Sequence, residues 1–372
     1  MSDTPIHDVR ARAYALRIEL ERRRRAAAYS DLPDLITWIQ TEFYIPERIG
    51  MDNPAMQLEP YQIATLIEAT RRDDTGKFCY DLVVWSDIKK SAKSSIAAAV
   101  VLYRALATPY GSFKIVANDL RQANSRVFFY ITRAMELNPR LKARAKLINY
   151  KITLDNRAVI EAIAVDPSGE AGGNDDMIEY TELHGFKSSA AQKLWAETTL
   201  SPTKFGYSQR WCDTYAGYTG ESPLLEPIYE RLVHKEKLIN VGINGLELYA
   251  DGRALALWNT KPLMPWQTAD YYASEATVLP PNEFSRMHRN QWTTSEDSFV
   301  PAEWWRACQS AETGTFEPLT PVVIGMDAGV TNDTFAVVGV SRLGDNVHVR
   351  FTFVWKPDGK ALDFGLIDTE VR

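Results

Sequence analysis

Cysteine is scarce: Cys79, Cys212 and Cys308 lie far apart in a chain of 372 residues. No pair has the spacing of a metal site or a disulfide framework, so a reducing compartment is expected. Long apolar runs are missing as well. No stretch of about eighteen such residues occurs, which argues against a membrane-spanning helix. The opening residues, MSDTPIHDVRARAYALRIELERRRR, lack the apolar centre of a secretory signal. Basic charge is not in excess: 42 Lys and Arg stand against 48 Asp and Glu, a net charge of −6. That argues against a surface coated all over with nucleic acid, yet it leaves room for a local basic channel. The densest basic block, Arg22 to Arg25, reads either as a solvated helix face or as a contact for a phosphate backbone or partner subunit.

What is present has an ordered pattern. Helices are expected over about 8–28 and 31–46, and again after the turn in MQLEPYQIATLIEATRR. From about 78 to 245, strand-like runs alternate with helical stretches. The runs are YDLVVW (80–85), FKIVAN (113–118), AVIEAIAV (158–165), DMIEYTE (176–182) and RWCDTYA (210–216). The helical stretches include 121–137 and 189–200. This alternation predicts an α/β domain with a largely parallel sheet, whose ligands bind at the carboxyl ends of strands. Residues 246–315 are rich in Trp, Tyr, Pro and Asn and read as a connecting segment packed on that domain. A new strand pattern begins at about 320, with LGDN as a hairpin turn.

The stretch SDIKKSAKSS, residues 86–95, lies between an apolar run and an alanine-rich run. Strand, small-residue loop with Lys-Ser, and helix form the context of a phosphate-binding loop. Both glycines of the usual pattern are absent: Asp87 and Ala92 stand in their places. Lys93 and Ser94 supply the lysine for terminal phosphates and the hydroxyl for Mg2+. Lys89 and Lys90 add positive charge, and Ser91 and Ser95 complete the loop. Alanine at position 92 is acceptable if φ there is negative. Downstream, Glu182 ends an apolar run where an ATPase needs a carboxylate to act on water, although Thr181 replaces the aspartate that often precedes it. Gln62 has the donor and acceptor to read an adenine edge, or is plain surface polarity. Thr214, at another strand end, is suited to sensing the γ-phosphate. Arg126 is either a charge donor to the site or a surface arginine. His184 and His288 have no His or Cys partner at metal spacing, so structural roles are expected. The Trp-rich segment is expected to pack rather than to stack on bases.

The ordered set resembles the large terminase subunit of tailed bacteriophages, an ATP-driven motor that packages DNA. The pieces are PYQ, KKSAKSS with its alanine-rich helix, IVANDLRQANSRVF, TELHGF, TYAGYTGES, NEFSRMHRNQW and IGMDAGVTNDTFAVV. The resemblance implies an N-terminal helical segment (1–50), a P-loop ATPase domain (51–245), a connecting segment (246–318) and part of an RNase H-like nuclease domain (319–372). It places Lys93 and Ser94 on phosphates and metal, Glu182 as the hydrolysis carboxylate, Thr214 as the coupling residue and Gln62 on adenine. Asp327 becomes the first nuclease carboxylate, with Asp333 either a second ligand or a turn residue. The implied cofactors are ATP with Mg2+, and Mg2+ or Mn2+ for the nuclease. The implied partners are double-stranded DNA, a portal protein, a small terminase subunit and further copies in a ring, in the host cytoplasm and away from any membrane.

Asp327 has independent support, because it closes the apolar run VVIGMD. A two-metal nuclease needs several clustered carboxylates, and about fifty residues are too few for an ordinary α/β domain. This chain alone is therefore expected not to cleave DNA. Two other readings remain open: a degenerate P-loop assembly subunit without turnover, and a superfamily-2-type helicase. The helicase reading predicts a second P-loop-like lobe where the last unit stands.

Overall fold

The computed structural model describes residues 32–118, 125–165, 173–294, 319–327 and 334–355, with residues 307, 308, 317 and 365. The helix expected over 8–28, the block Arg22 to Arg25 and Asp333 lie outside the described residues. The chain divides into two compact units, Met1–Phe299 and Val300–Arg372.

In the first unit the elements run α1 (Leu35–Glu42), α2 (Pro60–Ala69), β1 (Leu82–Asp87), α3 (Lys93–Ala107), β2 (Ser112–Ala117), α4 (Val127–Leu137) and α5 (Pro139–Ala143). Then come β3 (Ala145–Ile148), β4 (Lys151–Leu154), β5 (Val159–Ala164), β6 (Met177–Thr181), α6 (Ser189–Glu197), β7 (Gln209–Thr214) and α7 (Leu225–Tyr229). The unit closes with β8 (Leu248–Asp251), β9 (Ala254–Asn259), α8 (Ala269–Val278) and α9 (Pro281–His288).

Nine strands form one sheet in the order β3-β4-β5-β2-β6-β7-β1-β9-β8. The six from β5 to β9 in that order pair in parallel, and β3, β4 and β8 add antiparallel edges. The period-2 alternation explains the layers: Trp85, Ile115 and Trp211 join one apolar cluster, while Val84, Val116 and Cys212 join the other. Helix α3 lies in the first cluster. Its sequence is apolar almost all round, and it is buried along nearly its whole length. Arg104 is accommodated there because its guanidinium donates to Gln209 Oε1, Asp176 O and Tyr207 O.

Two features correct the sequence reading. The segment after residue 246 is not simply packed on the sheet. Strand β9 pairs in parallel with β1 from Leu82↔Ala254 to Asp87↔Asn259, and β8 pairs with β9. Strand β9 is buried at every position, so it lacks the alternation that marks a half-exposed strand. The hairpin β3–β4, turning through Asn149 at φ +52°, is a second addition, and it carries exposed Leu147 and Ile148 at the sheet edge.

The second unit contains β10 (Val323–Asp327), β11 (Phe335–Leu343) and β12 (Asn346–Trp355), all antiparallel. Leu343 pairs with Asn346, so LGDN does make a tight hairpin, with Gly344 at φ +62°. Phe335 and Val337 are buried against Phe351, Phe353 and Trp355. Among the described residues this unit is not a second P-loop lobe.

Candidate nucleotide site

Asp87 is the last residue of β1. It is strand, so the first glycine's freedom is not needed there. Its buried carboxylate accepts from Tyr61 Oη (3.0 Å) and Asn259 Nδ2 (2.8 Å). Burial pushes its pKa up to about 6, although Asn259, Lys93 and Tyr61 oppose the shift. Ala92 behaves differently. It caps α3 at φ +64°, and Lys90 has φ +69°. The condition of negative φ at Ala92 is therefore not met. An L-residue in this left-handed region costs about 1–2 kcal/mol.

The loop is held open from outside, and this offsets that strain. The carbonyls of Lys89, Lys90 and Ser91 accept from Gln267 Nε2 (3.1 Å), Trp266 Nε1 (2.7 Å) and Gln62 Nε2 (2.9 Å). The Lys89 amide donates to Met287 O at 2.7 Å. Gln62 is fully buried, and its Oε1 also accepts from the Glu59 amide as part of a capping box. Both ends of its amide are engaged within the protein. In this structure Gln62 braces the loop. Lys90 is exposed, and Lys89 is half-buried beside Met287. Ser91 and Ser95 are buried in the loop and in the first turn of α3.

Lys93 opens α3 and is 7% exposed, with its ammonium 4.9 Å from the Tyr215 ring centre. Next to it, Ser94 Oγ donates to Asp213 Oδ2 at 2.6 Å. Asp213, on β7, escaped the sequence reading. Strand β7 lies between β6 and β1, and Asp213 is in register with Thr181 on one side and Trp85 on the other. Only sheet order, which the sequence does not display, brings Asp213 to Ser94.

Thr181 Oγ1 donates to Glu179 Oε2 at 2.8 Å. Glu179 and Asp213 are both fully buried, and Glu179 Oε1 and Asp213 Oδ1 have no donor among the described groups. Two adjacent buried carboxylates cannot both be charged at low cost. Burial, with the Asp213 charge, drives Glu179 well above its ordinary pKa. Burial also raises Asp213, against opposing contributions from Glu179, Lys93 and Ser94.

Glu182 follows β6 at φ +59°, in a left-handed conformation unusual for such a residue. It is 3% exposed and pairs with Arg126. Arg126 thus reaches the site rather than lying idle on the surface. His184 Nδ1 is 3.3 Å from Glu182 Oε2 and 3.2 Å from Thr214 Oγ1. Burial lowers the His184 pKa to about 4, so the ring is neutral at pH 7 and stacks on Tyr215 at 4.4 Å. Thr214 Oγ1 is fixed between the His184 amide (3.2 Å) and Tyr215 O (2.9 Å).

Residues of NEFSRMHRNQW complete the surroundings. Arg286 lies over Tyr215 and Tyr218 and pairs with Glu283. Asn290, at φ +52°, accepts from Ser86 Oγ and the Ala216 amide and donates to Asn259 O. His288 is buried against Phe284, Tyr271 and Tyr272. Trp258 stacks on Trp292, with ring centres 6.2 Å apart.

A nucleotide with Mg2+ fits this donor set. It needs a lysine at a helix N-terminus, a hydroxyl and carboxylate oxygens. Lys93, Ser94 and Asp213 meet there, and Glu182 Oε2 is buried without a hydrogen-bond partner. In the other unit, Asp327 ends β10 opposite Ala336, and every residue of that strand is exposed. Among the described residues, no three acidic, His or Cys side chains gather there as a metal centre. No described helix is long and apolar enough to cross a membrane.

No protein-family model matches the sequence, and no curated protein does. Solved structures match across most of the chain at low identity. The HK97 bacteriophage large terminase matches with a TM-score of 0.53 at 15% identity, over 91% of this chain and 76% of that one. A large terminase from a thermophilic bacteriophage gives a TM-score of 0.46 at 9% identity, over 85% of this chain and 73% of that one. The ATPase domain of the Thermus phage P74-26 large terminase gives 0.42 at 14% identity, over 64% and 94%. At such identities the likeness concerns the fold alone, and in fold this chain is similar to the HK97 bacteriophage large terminase.

Proposed function

We propose that this chain is the large subunit of a viral DNA-packaging motor, an ATPase that drives double-stranded DNA into a procapsid. The observation that carries this reading is the meeting of Lys93, the Ser94–Asp213 pair and Glu182 at the carboxyl edge of one parallel sheet. Lys93 and the α3 N-terminus hold the terminal phosphates. Mg2+, when bound beside Ser94, neutralises phosphate charge. Glu182 orients the attacking water and takes its proton. Thr214 links the phosphate end to His184, and Arg126 neutralises Glu182 until the γ-phosphate competes for it. The second unit supplies Asp327, with Asp333 as either a second ligand or a turn residue, as part of a nuclease that would use Mg2+ or Mn2+. A portal, a small subunit and a ring of copies in the host cytoplasm complete the assembly.

The test is phosphate release with and without duplex DNA. Lys93→Ala should lose nucleotide binding. Glu182→Gln should bind ATP yet turn over roughly 10²–10⁴-fold more slowly. Equal inactivity of wild type and both variants, with Mg2+ and DNA present, would remove the catalytic reading. A nucleotide-binding assembly subunit is the second reading, favoured by the left-handed Ala92 and the Arg126–Glu182 pair. It predicts ATP binding by wild type without turnover.

A further inference from the structure

We propose that Asp213 is the carboxylate that completes the metal grip of the nucleotide site, replacing the one absent at Thr181. This rests on the reading of residues 86–95 as a Mg2+–nucleotide loop.

The expected place for that carboxylate is the tip of β6. Thr181 stands there, and its hydroxyl is spent on Glu179 within the same strand. One strand nearer the loop, Asp213 pairs in register with Thr181 and accepts the Ser94 hydroxyl at 2.6 Å. A small hard cation at a phosphate loop takes oxygen ligands, with the loop hydroxyl and a nearby carboxylate on the protein side. Of the described carboxylates here, Asp213 is the one bonded to that hydroxyl, so it orients Ser94 and would bring negative charge to the cation. Glu179 is turned to Thr181, and Glu182 is paired with Arg126. A second observation points the same way: Asp213 Oδ1 is buried and has no hydrogen-bond partner.

Titration of a fluorescent ADP analogue, in EDTA and in Mg2+, tests this on the full chain. Wild type should bind more tightly with Mg2+. Asp213→Asn should retain the EDTA affinity and lose roughly 10–100-fold in the Mg2+ enhancement. A thermal melt establishes that the variant folds, and Asp213→Ser, which is smaller and also uncharged, should behave alike. By electron paramagnetic resonance the spectrum of Mn2+–ADP should broaden on the wild type and remain that of free Mn2+–ADP with either variant. Wild-type binding with a Mg2+ enhancement that both folded variants keep would overturn the assignment of Asp213 and leave the proposed function standing. No nucleotide binding by wild type in either condition would overturn both.

Discussion

At Ala92 a side chain occupies backbone territory that suits glycine, at φ +64°. Ala92→Gly should therefore stabilise the folded protein by about 1 kcal/mol, less the entropy glycine adds to the unfolded chain. Urea unfolding should show a higher midpoint at unchanged slope; a lower midpoint would mean that the loop is unstrained. Asp87 predicts a pH dependence. Its pKa is raised to about 6 from 3.8, chiefly by burial. The folded chain then holds this proton more tightly than the unfolded chain, so stability falls as pH rises through that window. Asp87→Asn lacks that loss. Its stability relative to wild type should grow by up to roughly 3 kcal/mol between pH 4 and 7, read from unfolding curves at each pH. Lys93 and Ser94 were legible in the sequence because their neighbours in the chain make the strand, loop and helix. Asp213 was not, because its partner Ser94 is 119 positions away. Gln62 was visible, but its bond to the loop was not: amide chemistry suits a base edge and a loop carbonyl equally well.

Among elements, the strand runs with clear punctuation were readable, and β1, β2, β5, β6 and β7 fall within two residues of their expected positions. The missed strands have physical reasons. Strand β9 is buried at all positions and shows no period, and β3 and β4 are only four residues each. Asn290 joins two of the readable strands to one of the missed ones. Its side chain meets Ser86 in β1, Ala216 just beyond β7 and Asn259 in β9. Asn290→Ala would leave a buried amide and a buried carbonyl without their partners, at a cost of roughly 2–4 kcal/mol. Hydrogen exchange should then accelerate at the ends of these strands before the centre of α3; unchanged protection there would show the three bonds to be dispensable.

For the whole molecule, the order of weak motifs was more informative than any one of them, since the fold likeness to the HK97 terminase holds at 15% identity. The net charge of −6 shapes how such a chain would hold DNA. Only a local group of cations would meet phosphates. Affinity should thus fall with salt along a shallow log–log slope, without regard to base sequence. Filter binding on two unrelated duplexes across a salt series measures this, and a clear preference for one duplex would count against a phosphate grip. The Asn290 side chain has one more consequence. Three strand tips fastened by one amide resist sliding past one another, so β7, β1 and β9 form a stiff plate. Strands β6 and β8 border the plate, and β6 carries Glu182 at its end and leads on to α6. Bending of the sheet would then fall at the borders of the plate, one of which, between β6 and β7, lies beside Glu182.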